Sequence, residues 1–192
     1  MRVHALILVA SLFAACATNP PSNAGSVDNN GGAISSEEIC SFAQCDYNVR
    51  VVLKEENGEV FDKTFDALPI VRQHVVFVYG GMTVYIEANV KDGKLVDLKL
   101  VDAVESPRNT ITATLLQDEK GAMTLLTRNP FDQPLRIRMG IMPLSHGQLV
   151  KTSSCPVVPH GSAFEMWPYP IFQIVFADMR LLQEGESMAC ME

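Results

Sequence analysis

Met139-Gly-Ile-Met142-Pro-Leu-Ser-His146, with His160 beyond it, is the stretch of this chain whose residue types come nearest to a metal site. Thioether and imidazole donors together suit copper in an oxidising compartment, so Met139, Met142, His146 and His160 form one candidate ligand set. The same residues have a plainer use. Met139 falls on the strand face that carries Leu135, Ile137 and Ile141, which is a core position, and each histidine stands beside a glycine in turn-forming sequence. A second candidate is Trp167-Pro-Tyr169-Pro170, where two prolines stiffen an aromatic loop. Exposed, Trp167 and Tyr169 would anchor a protein partner; packed, they would close one end of the core. No Gly-x-Ser-x-Gly elbow, phosphate-cradling glycine loop or tight histidine–carboxylate motif is present. The acidic pairs Glu55-Glu56, Asp118-Glu119 and Glu184 with Glu186 lie beside turns or in the tail and are expected to be solvated charge. No catalytic residue and no cofactor is expected.

Cys40, Cys45, Cys155 and Cys190 make an even set. In an oxidising compartment they read as two disulfides, with three possible connectivities. Ser35-Ser36-Glu37-Glu38 has the form of a helix start, so a short helix is expected through Cys40. Were it to run on to Cys45, the two sulfurs would lie about 140° apart around its axis. Pairing Cys40 with Cys45 therefore requires the helix to end near Ala43. The favoured arrangement is Cys40 with Cys45 and Cys155 with Cys190, the second pair fastening the C-terminal tail. Neither Cys-x4-Cys nor the two later cysteines have the spacing with histidine that zinc prefers.

The elements that must position these groups are strands. Asn57-Gly58, Gly80-Gly81 and Asp92-Gly93 are hairpin dipeptides, and they predict strands near 48–55, 59–66, 74–79, 82–91 and 94–104. Val84, Ile86, Ala88 and Val90 alternate with polar residues, as do Val96, Leu98 and Leu100, so one face is buried and one wet. The run from His74 to Tyr79 has no polar face after its histidine and belongs in the middle of a sheet. Ser106-Pro-Arg-Asn109 then interrupts the pattern, and further strands follow near 111–116, 123–127, 135–142, 163–167 and 171–182. Residues 35–106 and 107–192 are thus two β-rich units, or one domain made of both. The fold class is mostly β, an antiparallel immunoglobulin-like sandwich or pair of sandwiches with one short N-terminal helix. Val52-Leu-Lys-Glu-Glu-Asn-Gly58 also resembles Leu115-Leu-Gln-Asp-Glu-Lys-Gly121, a hint of two related halves.

Arg2, an apolar run from Val3 to Ala10, and Leu12-Phe-Ala-Ala-Cys16 form the order of an export signal. Leu12 to Cys16 resembles the site at which a bacterial lipoprotein precursor is cut and its cysteine lipidated. That resemblance, confined to residues 1–18, implies a signal peptide over 1–15 and a diacylglyceryl anchor on Cys16. With Ala17 and Thr18 rather than aspartate after the cysteine, it also implies the outer membrane, facing the periplasm. Ala15-Cys16-Ala17 equally has the small-x-small form that a general signal peptidase accepts. Residues 16–34 are rich in Asn, Gly, Pro and Ser and read as a disordered tether of roughly 20 to 25 Å reach. Pro159 to Gly185 is faintly similar to the last strands of cupredoxin-like periplasmic copper chaperones, but Gln173 and Val175 stand where those carry a His-x-Met pair.

A net charge of −7 repels phosphate backbones, and no Lys/Arg cluster interleaves with aromatics, so nucleic acid is not an expected partner. The expected function is that of a lipid-anchored, non-catalytic binding or structural protein of the envelope, its partners the membrane through Cys16 and a protein or other envelope component. Copper binding and an enzyme with an unfamiliar site are the alternatives.

Overall fold

A computed structural model of the chain describes residues 36–191; the signal peptide, Cys16, the tether and Ser35 lie outside the described residues. The helix α1 (Ser36–Cys40) is one turn long. Turn bonds from Ser41 N–H to Glu38 O and from Phe42 N–H to Ile39 O end it. The chain can therefore reverse and bring Cys45, in the first strand, to Cys40 with Cα atoms 5.8 Å apart, where the two form a disulfide.

Eleven strands follow: β1 (Gln44–Lys54), β2 (Val60–Arg72), β3 (Val75–Tyr79), β4 (Thr83–Lys91), β5 (Lys94–Val101), β6 (Thr110–Gln117), β7 (Met123–Arg128), β8 (Leu135–Pro143), β9 (Val150–Lys151), β10 (Ser162–Trp167) and β11 (Ile171–Leu181). Every described pairing is antiparallel. The order β1-β2-β3-β11-β5-β4-β6-β7-β10 forms one sheet, with β8 paired to β11 and β9. Pairing is continuous because β11 changes neighbours: Gln173 to Phe176 lies between β3 and β8, whereas Arg180 lies between β5 and β8. Asp178, with φ 48°, marks the register shift where the exchange occurs.

Alternation explains the core. Val49, Val51 and Leu53 on β1, Val84, Ile86 and Ala88 on β4, and Leu135, Ile137, Met139 and Ile141 on β8 are buried at every second position, as the pleat requires. On β5 the expected phase holds at Leu98 but fails before it: Leu95 is buried and Val96 only half-buried. Asp97 has φ 51° and sits in a register shift against β4. One extra residue there advances the face by one place. β3 is central, between β2 and β11, as its apolar run predicts. Burial of its Tyr79 pushes the phenol well above its ordinary pKa, while Tyr79 Oη donates to Pro69 O and accepts from Gln173 Nε2.

The three glycine dipeptides do three different things. Asp92 and Gly93 both have positive φ, 51° and 74°, and close a two-residue turn between Lys91 and Lys94. In the turn after β1 only Gly58 has positive φ; Glu55 N–H bonds Glu59 O at 2.8 Å and Gly58 N–H bonds Glu55 O at 3.0 Å. Gly80-Gly81 makes no hairpin, since β3 pairs β2 and β11 while β4 pairs β5 and β6. It is a corner where the chain changes partners. Gly80 N–H bonds Phe172 O, Gly81 N–H bonds Leu115 O, and a Cβ on Gly80 would come within 2.7 Å of Leu53.

The C-terminal tail is fastened to the sheet. Cys155 and Cys190 form the second disulfide, Ser154 and Met191 exchange backbone hydrogen bonds, and Arg136 donates to Ser187 O and Ala189 O.

Candidate functional site

The four potential copper ligands are not brought together. Met139 is buried toward the core and Met142 stands on the opposite face of β8, three residues on. His160 bonds Asp132 just before the start of β8, while His146 follows its far end. Eight strand steps separate those ends by about 26 Å. Among the described residues no three His, Cys, Asp or Glu side chains gather into a group able to hold a metal ion. Gln173, in place of a chaperone-like histidine, is buried and spends its amide on Tyr79.

Trp167 is buried, with 8% of its surface exposed, and its indole N–H donates to Thr152 Oγ1 at 3.1 Å. Tyr169 packs half-buried against the core. The Trp-Pro-Tyr-Pro loop therefore closes one end of the sheet, and Trp167 is not an exposed anchor.

The exposed aromatic lies three residues earlier. On β10, Phe164 and Met166 are 67% and 73% exposed, while Ala163, Glu165 and Trp167 turn inward. Glu165 cannot turn out because its carboxylate accepts Cys155 N–H at 3.0 Å. β10 pairs β7 along its whole length and no described strand pairs its other edge. An open apolar edge invites strand addition. At two other places a glutamine amide meets unpaired strand backbone. Gln44 receives Leu100 N–H and donates to Leu98 O on β5; Gln117 receives Lys54 N–H and donates to Lys54 O on β1. Among the described residues no such amide meets the backbone of β10.

A second feature is a cleft of about 690 Å³ where the end of β4, the loops before β6, β8 and β10, and the end of β11 converge. Val90, Phe131 and Leu181 supply its apolar lining; Arg108, Asp132, Gln133 and His160 supply its polar groups. One wall is built on Asn129, which is wholly buried. Its Nδ2 donates to Gln133 O, Val157 O and Val158 O, its Oδ1 accepts Phe131 N–H, and its own N–H bonds Gly161 O. Those bonds lock the 129–133 loop to the 157–161 segment. His160, at φ 53°, is thereby held with Nε2 2.8 Å from Asp132 Oδ1. Arg108 has no ion-pair or hydrogen-bond partner among the described residues.

Beyond a turn between strands, no local pattern marks Asn129's role. Its carbonyl partners lie 28 and 29 residues away, a separation no local motif spans. Two of the paired carboxylates, Glu186 and Asp118, are likewise more than solvated charge. Glu186 takes both Arg180 guanidinium nitrogens, at 2.8 and 2.9 Å, and the Gln183 N–H. The Arg180 bond first, then the backbone bond, lowers its pKa to about 2. Asp118 accepts Lys120 N–H and Ala122 N–H, closing a turn in which Gly121 has φ 93°. That turn repeats the backbone bonds of residues 55–59, and the two touch through the Lys54–Gln117 amide bonds.

No family model, no curated protein and no solved structure matches the chain.

Proposed function

We propose that the chain is a non-catalytic recognition protein of the bacterial envelope, held at the outer membrane by lipid on Cys16 and facing the periplasm. Its body is an immunoglobulin-like sandwich in which β11 belongs to both layers, and it works without a cofactor by adding an extended segment of a protein partner along β10. The observation that carries this reading is the uncovered edge of β10 with Phe164 and Met166 displayed beside it. Amides meet the β1 edge only at Lys54 and the β5 edge only at Leu98 and Leu100; β10 sets the two most exposed large apolar side chains among the described residues, Phe164 and Met166, beside an edge without such a contact, an arrangement suited to strand addition. The tether of residues 16–34 would give that edge freedom to search the space next to the membrane.

The test is a photo-reactive benzoylphenylalanine at position 164 in the full-length chain, irradiated in cells. A defined protein adduct is expected, and Met166→Lys should diminish it by placing a charge on the edge. Adducts to lipid alone, to a second copy alone, or to nothing would overturn the reading. Copper capture has no geometric support in the placement of Met139, Met142, His146 and His160.

A further inference from the structure

We propose that the cleft between Arg108 and His160 is a binding site for a small organic carboxylate with an aliphatic body, independent of the β10 edge. Its volume of about 690 Å³ lies within the range of sites that enclose small molecules. Val90 stands half exposed over a lining that contains the buried Phe131 and Leu181, a surface for alkyl groups. Arg108 contributes a cation whose planar fork matches a carboxylate and which nothing in the described chain neutralises.

The opposite rim carries Asp132, which alone would repel such a ligand. Its carboxylate lies 2.8 Å from His160 Nε2 and is otherwise almost wholly in solvent, which screens its charge, and the Gln133 amide beside it can donate to a second ligand oxygen. Construction of the wall supports the assignment. A buried asparagine that fixes two loops against each other, and a histidine held at φ 53°, keep the backbone of the Gln133 and His160 wall in place before any ligand arrives. Such preorganisation reduces what binding must spend on ordering loops, and left-handed non-glycine backbone gathers at functional sites.

Hexanoate is the probe, titrated by calorimetry into the folded chain. Binding at a Kd of about 1 mM or tighter is expected, with 1-hexanol and acetate each at least about tenfold weaker because each offers half of the recognition. Arg108→Gln should weaken hexanoate at least tenfold, as should Val90→Asp, which sets a charge against the alkyl chain. Both positions are exposed at the surface, so neither change endangers folding, and Arg138→Gln, outside the cleft, should leave binding intact. No measurable hexanoate binding, or binding indifferent to both cleft variants, would overturn the proposal. Leucine binding far more tightly than hexanoate would overturn it in favour of a zwitterion bridging Arg108 and Asp132.

Discussion

Replacing Asn129 with alanine tests how much of this fold hangs on one amide. The substitution removes four side-chain hydrogen bonds, but their loss is unequal. Val157 O keeps Leu135 N–H at 2.9 Å and Val158 O keeps Gly161 N–H at 3.1 Å. Among the described residues Phe131 N–H and Gln133 O have no other hydrogen-bond partner, the first fully buried and the second partly. Leaving a buried donor or acceptor unmade costs about 1 to 3 kcal/mol, so two orphans, one of them within reach of water, predict a loss of about 2 to 4 kcal/mol. That is a large share of the 5 to 15 kcal/mol that holds an ordinary domain. Asn129→Asp should be worse than alanine: it keeps an acceptor for Phe131 but points a charged oxygen at three carbonyls. Trp167, the single tryptophan and buried, reports unfolding by its fluorescence in a urea titration. The expected result is a lower midpoint with an unchanged slope, the aspartate variant lowest. A loss under about 1 kcal/mol for alanine would refute the reasoning, because it would mean that water satisfies both orphans.

Three other perturbations have defined outcomes. The Cys155–Cys190 bridge closes a loop of 35 residues and Cys40–Cys45 one of 5, so chain entropy assigns them about 4 and 2 kcal/mol respectively; paired serine variants should order the melting temperatures accordingly, and the reverse order would contradict the account. Glu186 has its pKa lowered to about 2, chiefly by Arg180, so its contribution to stability is complete above the usual carboxylate pKa and lost as pH falls toward 2. Glu186→Gln should therefore unfold more readily than wild type at pH 6 and match it near pH 2, and a constant difference across that range would count against the pair. Gly81, at φ 82°, should cost about 1 to 2 kcal/mol when changed to alanine, measurable in the same urea titration, whereas a neutral result would mean the corner has relaxed.

The strands were legible because their alternation and turn residues are local. Asp92-Gly93 gave its turn correctly, since two successive positive φ values define both the dipeptide and the loop. Gly80-Gly81 misled for an instructive reason: glycine reports a backbone conformation, and the conformation does not say which strands pair afterwards. The bulge at Asp97 was invisible because an extra residue is recognised only against a partner strand. At the site, β10 defied the usual reading of polarity. Phe164 and Met166 face out and Glu165 faces in, fixed by a bond to the Cys155 backbone that sequence alone does not reveal. The pairing of Cys40 with Cys45 could be reasoned from helix geometry, whereas the cleft arises from segments far apart in sequence and left no pattern to read.

The position of β11 has a consequence for how the chain comes into being. Residues 171–181 follow every other described strand in chain order, yet they complete the pairing of β3 and β8 and touch β5. Until β11 is made, β3 and β8 each carry an unfinished strand edge, and the Tyr79–Gln173 contact joins residues 94 apart in sequence. Contacts of such separation are slow to form and leave strands exposed to wrong partners meanwhile. Assembly of this sheet must wait for β11, and a nascent chain stopped short of Ile171 should remain a client for whatever shields unfolded proteins in its compartment.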